Sequence, residues 1–449
     1  MTTSINAALI EVPDATELAK AGSGGAYPPG GSYVLTGDIT AANWTPPTAA
    51  FTGKFYGNGH TITIESFAAA ADNVGLFGVA NNALIRDLTV AYGNNDVTVT
   101  NETTTNIGSI AGSAGGITKI LNCMVESMVK GMVKGMVDGK PVETTLILTS
   151  SSTSDVYIGG MVGYMAGGVR ISNCRAALNV SLTSTGTGAV YAGGVAGFVT
   201  GTGGGAMQEL IADVMVLGSV TLEKNDSGNI FAGGVAGYST TAGIFARVVY
   251  DYGTVTAQRN GGTGLKDCEW GRNAVLEVPA STTAYNLNVG GLAGYAYGSG
   301  ITIQNTVARG DITIGAGGTN TYVGGLAGYV RGSSGTSRVV FTGCVYESGL
   351  ITVTAPAVLR MGGCIGYVFD YMEATDSYSR AALLEVKGCT GLYFGGFSGY
   401  LYTSTVTDCG SSKYSSSPLS PSAPSRLIFL VFPLRSPRSP RLNSSCVFV

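Results

Sequence analysis

Catalytic chemistry has few candidate residues in this 449-residue chain. His60 is the single histidine, so a serine or cysteine nucleophile has one possible histidine base, and a multi-histidine metal site is impossible. The aspartates that stand at turn-like positions are scattered: Asp87, Asp213, Asp251, Asp311 and Asp408. We therefore predict no catalytic residue, no metal site and no cofactor. A pair of acids that cleaves a polysaccharide is the alternative. Whether two carboxylates can do this depends on the distance between them, which the sequence does not give.

The best single candidate for ligand binding is an aromatic residue among charged residues. Trp270 and Arg272 lie in the segment KDCEWGR, where extra residues lengthen a repeat. An exposed indole offers apolar area and a hydrogen-bond donor, which suits contact with a sugar or a protein. A tryptophan packed against the body of the protein is the alternative, because large aromatic side chains are usually buried.

Aromatic residues at a regular spacing are the second candidate. The 157 row stands two residues before a glycine pair and comprises Tyr157, Tyr191, Phe231, Tyr322 and Tyr393. The 164 row follows the same glycines and comprises Tyr164, Phe198, Tyr238, Tyr295, Tyr329, Tyr367 and Tyr400. The two positions have opposite strand parity, so one row faces outward unless a glycine bulge changes the alternation. We expect the 164 row in the core. An exposed 157 row would bind carbohydrate, with Tyr157, Tyr191 and Tyr322 as its contacts.

Both rows belong to a phrase, Gly-Gly-apolar-small-Gly-aromatic, that recurs seven times. The copies begin at Gly159, Gly193, Gly233, Gly290, Gly324, Gly362 and Gly395. Two degenerate copies, NVGLFG at 73–78 and IGSIAG at 107–112, precede them. Consecutive full copies are separated by 34, 40, 57, 34, 38 and 33 residues. A period in this range indicates stacked units, each burying a face that it cannot cover alone.

The residue types of each unit favour strands over paired helices. Three glycines stand among Val, Thr, Tyr and Ile in every copy, and glycine costs about 1 kcal/mol in a helix interior relative to alanine. Short alternating runs such as 178–182, LNVSL, follow between polar turns. We predict an all-β chain that folds as a single-stranded parallel β-helix, or β-solenoid, of about ten coils.

A second periodic mark is an apolar-x-polar-Cys phrase. Six of the eight cysteines fit one repeat position: Cys123, Cys174, Cys268, Cys344, Cys389 and Cys409. A buried ladder of reduced cysteines is the favoured interpretation, because free cysteine behaves as a small hydrophobe. Disulfide bridges are the alternative.

Three segments make up the predicted domain organisation. Residues 1–50 form an N-terminal cap and the first strands, with a short capping helix from Asp14 to Lys20. Residues 51–410 form the β-helix, with insertions near 124–143 and 260–287 where the period lengthens. Residues 411–449 are rich in Ser, Pro and Arg and are expected to be a disordered tail.

Charge and hydropathy exclude some partners. Only 12% of residues are charged, the net charge is −3, and the five basic residues beyond position 412 have no acid among them. The rest of the chain is mildly acidic, so no nucleic-acid partner is predicted. The apolar run 427–432 is too short to cross a bilayer, so no membrane-spanning segment is predicted. Residues 1–20 lack a basic start and a sustained apolar core, so they do not read as a signal peptide.

The phrases GGMVGY and GGLAGY resemble the GLUG motif, a glycine-rich repeat of bacterial surface and secreted proteins. The resemblance extends over residues 33–409 and includes the opening stretch FTGKFYGNGHTI at 51–62. It implies a β-helix scaffold, adhesin-like and non-enzymatic, at the cell surface or outside the cell, with a glycan or a host or neighbouring-cell protein as partner. The repeats supply no catalytic residue to transfer. A polysaccharide lyase or hydrolase on the same scaffold, and ice binding through threonine rows, are the alternatives.

Overall fold

The computed structural model describes residues 9–67, 72–92, 97–101, 106–127, 145–201, 209–224, 228–240, 243–250, 255–259, 286–298, 300–314, 319–354, 358–380, 383–387, 391–411 and 429–430. Within these residues there is one helix, α1, which spans Ala15–Lys20. The strands of the N-terminal half are β1 Ile10–Val12, β2 Ser32–Leu35, β3 Ile39–Ala41, β4 Lys54–Tyr56, β5 Thr61–Ile64, β6 Asn73–Val74, β7 Phe77–Asn81, β8 Leu84–Arg86, β9 Thr89–Tyr92, β10 Val97–Asn101, β11 Asn106–Gly108, β12 Ala111–Gly115, β13 Lys119–Leu121, β14 Met124–Ser127, β15 Thr145–Ser150, β16 Val156–Gly159, β17 Val162–Met165, β18 Arg170–Ala177, β19 Asn179–Ser184, β20 Val190–Gly193, β21 Ala196–Thr200, β22 Glu209–Val216 and β23 Val220–Lys224.

The strands of the C-terminal half are β24 Ile230–Gly233, β25 Ala236–Thr240, β26 Gly243–Tyr250, β27 Val255–Arg259, β28 Asn286–Gly290, β29 Ala293–Gly298, β30 Ile301–Gln304, β31 Val307–Arg309, β32 Ile312–Ile314, β33 Asn320–Gly324, β34 Ala327–Gly332, β35 Val339–Thr342, β36 Val345–Ser348, β37 Leu350–Thr354, β38 Val358–Gly362, β39 Ile365–Val368, β40 Met372–Thr375, β41 Tyr378–Ser379, β42 Leu383–Lys387, β43 Gly391–Gly395, β44 Ser398–Leu401, β45 Ser404–Thr407, β46 Gly410–Ser411 and β47 Phe429–Leu430.

These strands stack into four parallel sheets, so the predicted parallel β-helix is confirmed. Sheet I has 20 strands, sheet II has eight from β10 to β42, sheet III has ten from β6 to β47, and sheet IV has nine from β7 to β44. A typical coil passes from β16 in sheet III to β17 in sheet IV, runs along β18 in sheet I, and returns through β19 in sheet II. The longest ladder, from β1 to β45, joins twelve strands, which at about 4.8 Å per step makes a stack about 53 Å long.

Aliphatic ladders fill the interior of the coil. Along β19 every second side chain is buried, and Val180 and Leu182 lie in register with Leu146 and Leu148 of the preceding coil. All four have at most 1% of their surface exposed. Burial of such side chains contributes about 1.5–3 kcal/mol each, and β15 shows the same alternation, so these ladders stabilise the stack.

The predicted capping helix is confirmed at the N-terminal end. Asp14 is the N-cap residue of α1, and its Oδ1 accepts hydrogen bonds from the backbone N–H groups of Thr16 and Glu17 at 2.8 and 2.9 Å. Leu18 packs from the helix into the core with 1% exposure. An aspartate cap and an early glutamate favour this helix start electrostatically, since both complement the helix dipole.

A left-handed residue forms the corner inside sheet I in coil after coil. The non-glycine residues with positive φ at this corner are Asp87, Asn122, Asn173, Asp213, Asn305, Asp376 and Asp408. Asparagine and aspartate tolerate this conformation better than other residues because their side chains bond locally. Asn122 Nδ2 donates to Asp87 Oδ1 at 2.7 Å, and Asn173 Nδ2 donates to Asn122 Oδ1 at 3.2 Å, so the corners are also linked between coils.

The cysteine ladder lies directly after this corner. The backbone N–H of Cys123 donates to Cys174 Sγ at 3.4 Å, that of Cys344 to Ser377 Oγ at 3.2 Å, and that of Ser377 to Cys409 Sγ at 3.3 Å. The five cysteines in the described residues carry free thiols, as the ladder interpretation predicts. Burial raises the pKa of Cys344 to about 12, which keeps its thiol protonated.

Two cysteines assigned to this ladder from sequence do not hold its positions. Cys268 and Cys389 lie outside the described residues, and the ladder positions of those coils are occupied by Val248, which pairs with Val214, and by Ser377. Leu88, Val214 and Thr306 also lie at this position. The position therefore accepts several buried side chains and does not require sulfur.

Strands lie at the edges of both predicted insertions. Met124–Ser127, the start of the first predicted insertion, is strand β14, and Asn286 and Leu287, the end of the second, begin β28. The remainder of both insertions lies outside the described residues. Within the predicted tail, Ser411 ends β46, and β47 pairs with β43 in parallel. The other residues of the tail lie outside the described residues. Among the described residues no helix is long and apolar enough to span a membrane.

Candidate functional site

The glycine phrase brings sheets III and IV into backbone contact. A Cβ atom on Gly193, the first glycine of its phrase, would lie 2.1 Å from Ala196 O and 2.7 Å from Val235 O. A Cβ atom on Gly197, the third glycine, would lie 2.7 Å from the backbone nitrogen of Ile158 in the preceding coil. Contacts below 3.0 Å are essentially never made by real Cβ atoms, so only glycine fits these positions.

A bend at Gly160 and Met161 separates β16 from β17 and changes the alternation of side chains. The backbone N–H groups of Met161 and Val162 both donate to Val195 O, each at 3.0 Å. The two coils stay in register across the bend, since Gly159 pairs with Gly193 and Val162 with Ala196. As a result Tyr157 and Tyr164, seven positions apart, lie on the same side with ring centroids 5.3 Å apart.

The 157 and 164 rows consequently pack against each other in a crease between sheets III and IV. Successive rings within a row are stacked, as for Tyr238 on Tyr295 at 4.8 Å and 12°. Rings of opposite rows meet edge to face, as for Phe231 and Tyr238 at 5.2 Å and 88°. Both geometries suit the ring quadrupole, and each contact adds about 0.5–1.5 kcal/mol beyond burial.

The prediction that the 164 row lies in the core is wrong, and the 157 row is less exposed than a carbohydrate-binding row would need. The 164 row is half-buried in the crease rather than in the core. In the 157 row Tyr191 and Tyr322 are each only 8% exposed, while Tyr157 is half-buried. The row therefore does not present an open platform, and the cause is the bend at Gly160 and Met161, which turns it toward the 164 row.

Tyr157 and Tyr191 also have a carboxylate partner at one edge of the crease. Their hydroxyl groups lie 3.4 and 3.3 Å from Asp155 Oδ2, and Asp155 Oδ1 accepts a hydrogen bond from the backbone N–H of Ala189 at 2.9 Å. Burial, and then the negative charge of Asp155, raise the pKa of both tyrosines. These contacts stabilise one edge of the crease. Both tyrosine hydroxyl groups therefore already have Asp155 as a hydrogen-bond partner.

Trp270 and Arg272, the other predicted contacts, lie outside the described residues. The structure therefore leaves their role in ligand binding as a prediction. They belong to the stretch between β27 and β28.

The most exposed aromatic surface of the described chain was not predicted from sequence. Two residues beyond the 164 row, Tyr297 and Arg331 lie on strands β29 and β34 of sheet IV, and on the next two coils Phe369 and Tyr402 directly follow strands β39 and β44. We call these four residues the sheet IV strip. Phe369 is 37% exposed and Tyr402 is 53% exposed, and their ring centroids are 6.1 Å apart.

Arg331 stands within this strip between two rings. Its Cζ lies 5.5 Å from the ring centroid of Tyr297 and 4.9 Å from that of Phe369. Within the described residues it forms no hydrogen bond and no ion pair. Arg360, by comparison, lies in the crease, where it contacts three rings and its Nη1 donates to Asn320 Oδ1 at 3.3 Å.

The groups that catalysis would need are dispersed or already paired. His60 Nδ1 lies 3.4 Å from Asp38 Oδ1, an oxygen that also accepts a hydrogen bond from the Thr61 backbone N–H. On sheet I, Glu347 pairs with Arg309 and Arg380. In the part of the chain that the structure describes, no group of three or more potential metal-ligating side chains occurs.

Comparison with known proteins adds no relative. No family model, no curated protein and no solved structure matches this chain.

Proposed function

We propose that this chain is a non-enzymatic repeat scaffold of the GLUG type that binds a glycan or a protein at the cell surface or outside the cell. One observation carries the proposal: a rigid parallel stack presents the sheet IV strip, whose rings are exposed at the C-terminal coils. Exposed aromatic rings on a rigid scaffold supply apolar contact area at little cost in conformational entropy.

The regular spacing of the coils supports a polymeric or multivalent partner. Side chains of the strip recur about every 4.8 Å along the stack, so a linear partner would meet one contact after another. Several weak contacts on one rigid body combine through effective concentration into useful affinity. Glycan chains, which repeat a unit, fit this logic best, and a protein surface is the other partner class of the proposal.

A glycan array with the full chain tests the function. We expect binding to one glycan class that weakens about tenfold on Phe369→Ala or Tyr402→Ala, because stacking contacts of this kind contribute about 0.5–1.5 kcal/mol each in addition to buried area. Tyr371→Ala, a half-buried residue outside the strip, serves as the control.

The same samples discriminate the enzyme alternative. Release of reducing ends or of unsaturated sugars from a polysaccharide, abolished by replacement of a carboxylate such as Glu347 or Glu373, would replace the scaffold with a lyase or hydrolase. Glycan binding without product release supports the scaffold.

A further inference from the structure

We infer that the sheet IV strip binds a sugar acid, a pyranose that carries a carboxylate such as a hexuronate unit of an acidic polysaccharide. Arg331 takes the carboxylate, while Phe369 and Tyr402 contact the C–H face of the ring or of its neighbour. This inference rests on the proposed function, because it names the glycan class that the same surface selects.

Arg331 is the observation that points to an acid. Its guanidinium carries five N–H donors, and within the described residues none of them has a hydrogen-bond or ion-pair partner. Three other arginines of the described chain have carboxylate partners: Arg309 and Arg380 pair with Glu347, and Arg338 pairs with Glu373. A cation without a counter-charge on an otherwise aromatic surface favours an anionic ligand.

The rings on either side fix the guanidinium for this task. Tyr297 and Phe369 lie at 5.5 and 4.9 Å from Arg331 Cζ, so the group is held against the sheet by two cation–π contacts. A planar guanidinium group that is already held in place loses less entropy on binding than a free side chain. It can also donate two parallel hydrogen bonds to the two oxygens of a carboxylate.

The exposed rings supply the sugar contact. Phe369 and Tyr402 are 37% and 53% exposed, and their planes differ by 37°. They therefore form a shallow angled surface rather than a packed pair. A pyranose placed there buries its apolar face, while its carboxylate reaches the coil before, where Arg331 lies.

The charges around the strip are compatible with one acidic unit. Asp370, which follows Phe369, is half-buried, and Arg360 lies beneath Tyr367 in the crease, where it contacts three rings. The strip itself carries one positive and no negative charge. A single carboxylate balances it.

Oligogalacturonate and its fully methyl-esterified counterpart test the inference, because the two probes share a backbone and differ in charge. Isothermal titration with the full chain should show clear binding of the acid, about tenfold to a hundredfold tighter than the ester, as charge-assisted hydrogen bonds imply. Arg331→Gln should remove that preference and leave binding of the ester unchanged. Arg331→Lys should keep part of the preference for the acid, because lysine retains the positive charge but lacks the two parallel donors of the guanidinium group.

Arg338→Gln is the matched control, since Arg338 directly precedes β35 of sheet I, is paired with Glu373 and is outside the strip. Retained acid preference in that variant, with cooperative melting of both variants, supports the assignment. An unchanged acid preference in Arg331→Gln overturns it, and so does tighter binding of a sulfated than of a carboxylated oligosaccharide. Binding of a neutral glycan that depends on Phe369 but not on Arg331 overturns the sugar-acid inference alone, whereas a chain that binds no glycan or protein overturns the proposed function as well.

Discussion

Because the glycines of the phrase have no side chain, sheets III and IV can come into backbone contact. At Gly193 an added Cβ would meet two carbonyl oxygens at 2.1 and 2.7 Å, which neither neighbour can relieve because both are backbone atoms. The phrase is thus a steric requirement of the crease. Its repetition reflects the same contact made on every coil.

We expect Gly193→Ala to destabilise the fold by about 2–4 kcal/mol, because the strand must move away and disturb the ladder above and below. Gly37→Ala is the matched control, since a Cβ at Gly37 has no atom within 4 Å, and it should change the free energy of unfolding by less than about 0.5 kcal/mol. Urea unfolding followed by circular dichroism measures both. Equal effects of the two variants would contradict the steric account.

At the scale of elements, the crease joins sheets III and IV through aromatic rows whose tyrosines ionise with difficulty. Burial raises the pKa of Tyr238 to about 12, and burial likewise raises the pKa of Tyr191 and Tyr295 above the ordinary 10. A folded-state pKa above the unfolded value means that the folded protein holds its protons more tightly. That stability is fully present below pH 10 and is lost as the pH rises through the raised values.

We therefore predict that the melting temperature falls steeply above pH 10 while far-ultraviolet circular dichroism is unchanged below it. Substitution of Tyr191, Tyr238 and Tyr295 by Phe should shift this loss to higher pH, because phenylalanine has no proton to release. Phe198 and Phe231 already occupy row positions, so the triple variant is expected to fold. An alkaline melting profile identical to that of the unchanged chain would refute the role of these rings.

The element scale also shows what sequence could and could not supply. The phrase register is predictable, because glycines at one period must align, and the structure pairs Gly159 with Gly193 and Gly193 with Gly233. The direction of the aromatic rows is not predictable, since it depends on the bend at Gly160 and Met161, whose angle the residue types do not specify.

The sheet IV strip was missed for a different reason. Its members, Tyr297, Arg331, Phe369 and Tyr402, are of three residue types, so no single recurring residue marks the position. A fixed offset of two residues after the 164 row would have found it. The assignment of Cys268 and Cys389 to the ladder had the opposite cause, because a shared residue type was taken as evidence of a shared position. In the structure Val248 and Ser377 hold those positions.

At the scale of the whole molecule, the stack is close to one-dimensional, because each coil pairs only with its two neighbours. Extra chain between two strands therefore costs little, as loop-closure entropy grows only slowly with length. The stretch 260–285 joins Arg259 at the end of β27 to Asn286 at the start of β28, and both of these strands pair in the stack without it.

We predict that replacing residues 260–285 by a short Gly-Ser linker leaves a single cooperative melting transition within about 4 °C of the full chain, because no named pairing is removed. Deletion of Asn286–Gly290 is the contrasting variant, since it removes the strand that connects β24 with β33 and should abolish cooperative unfolding. The linker variant also lacks Trp270 and Arg272. If it still binds oligogalacturonate with the affinity of the full chain, the strip alone carries recognition. A loss of binding that Trp270→Ala reproduces would instead place the glycan contact on that stretch, and a loss of cooperative melting in the linker variant would make 260–285 part of the stack.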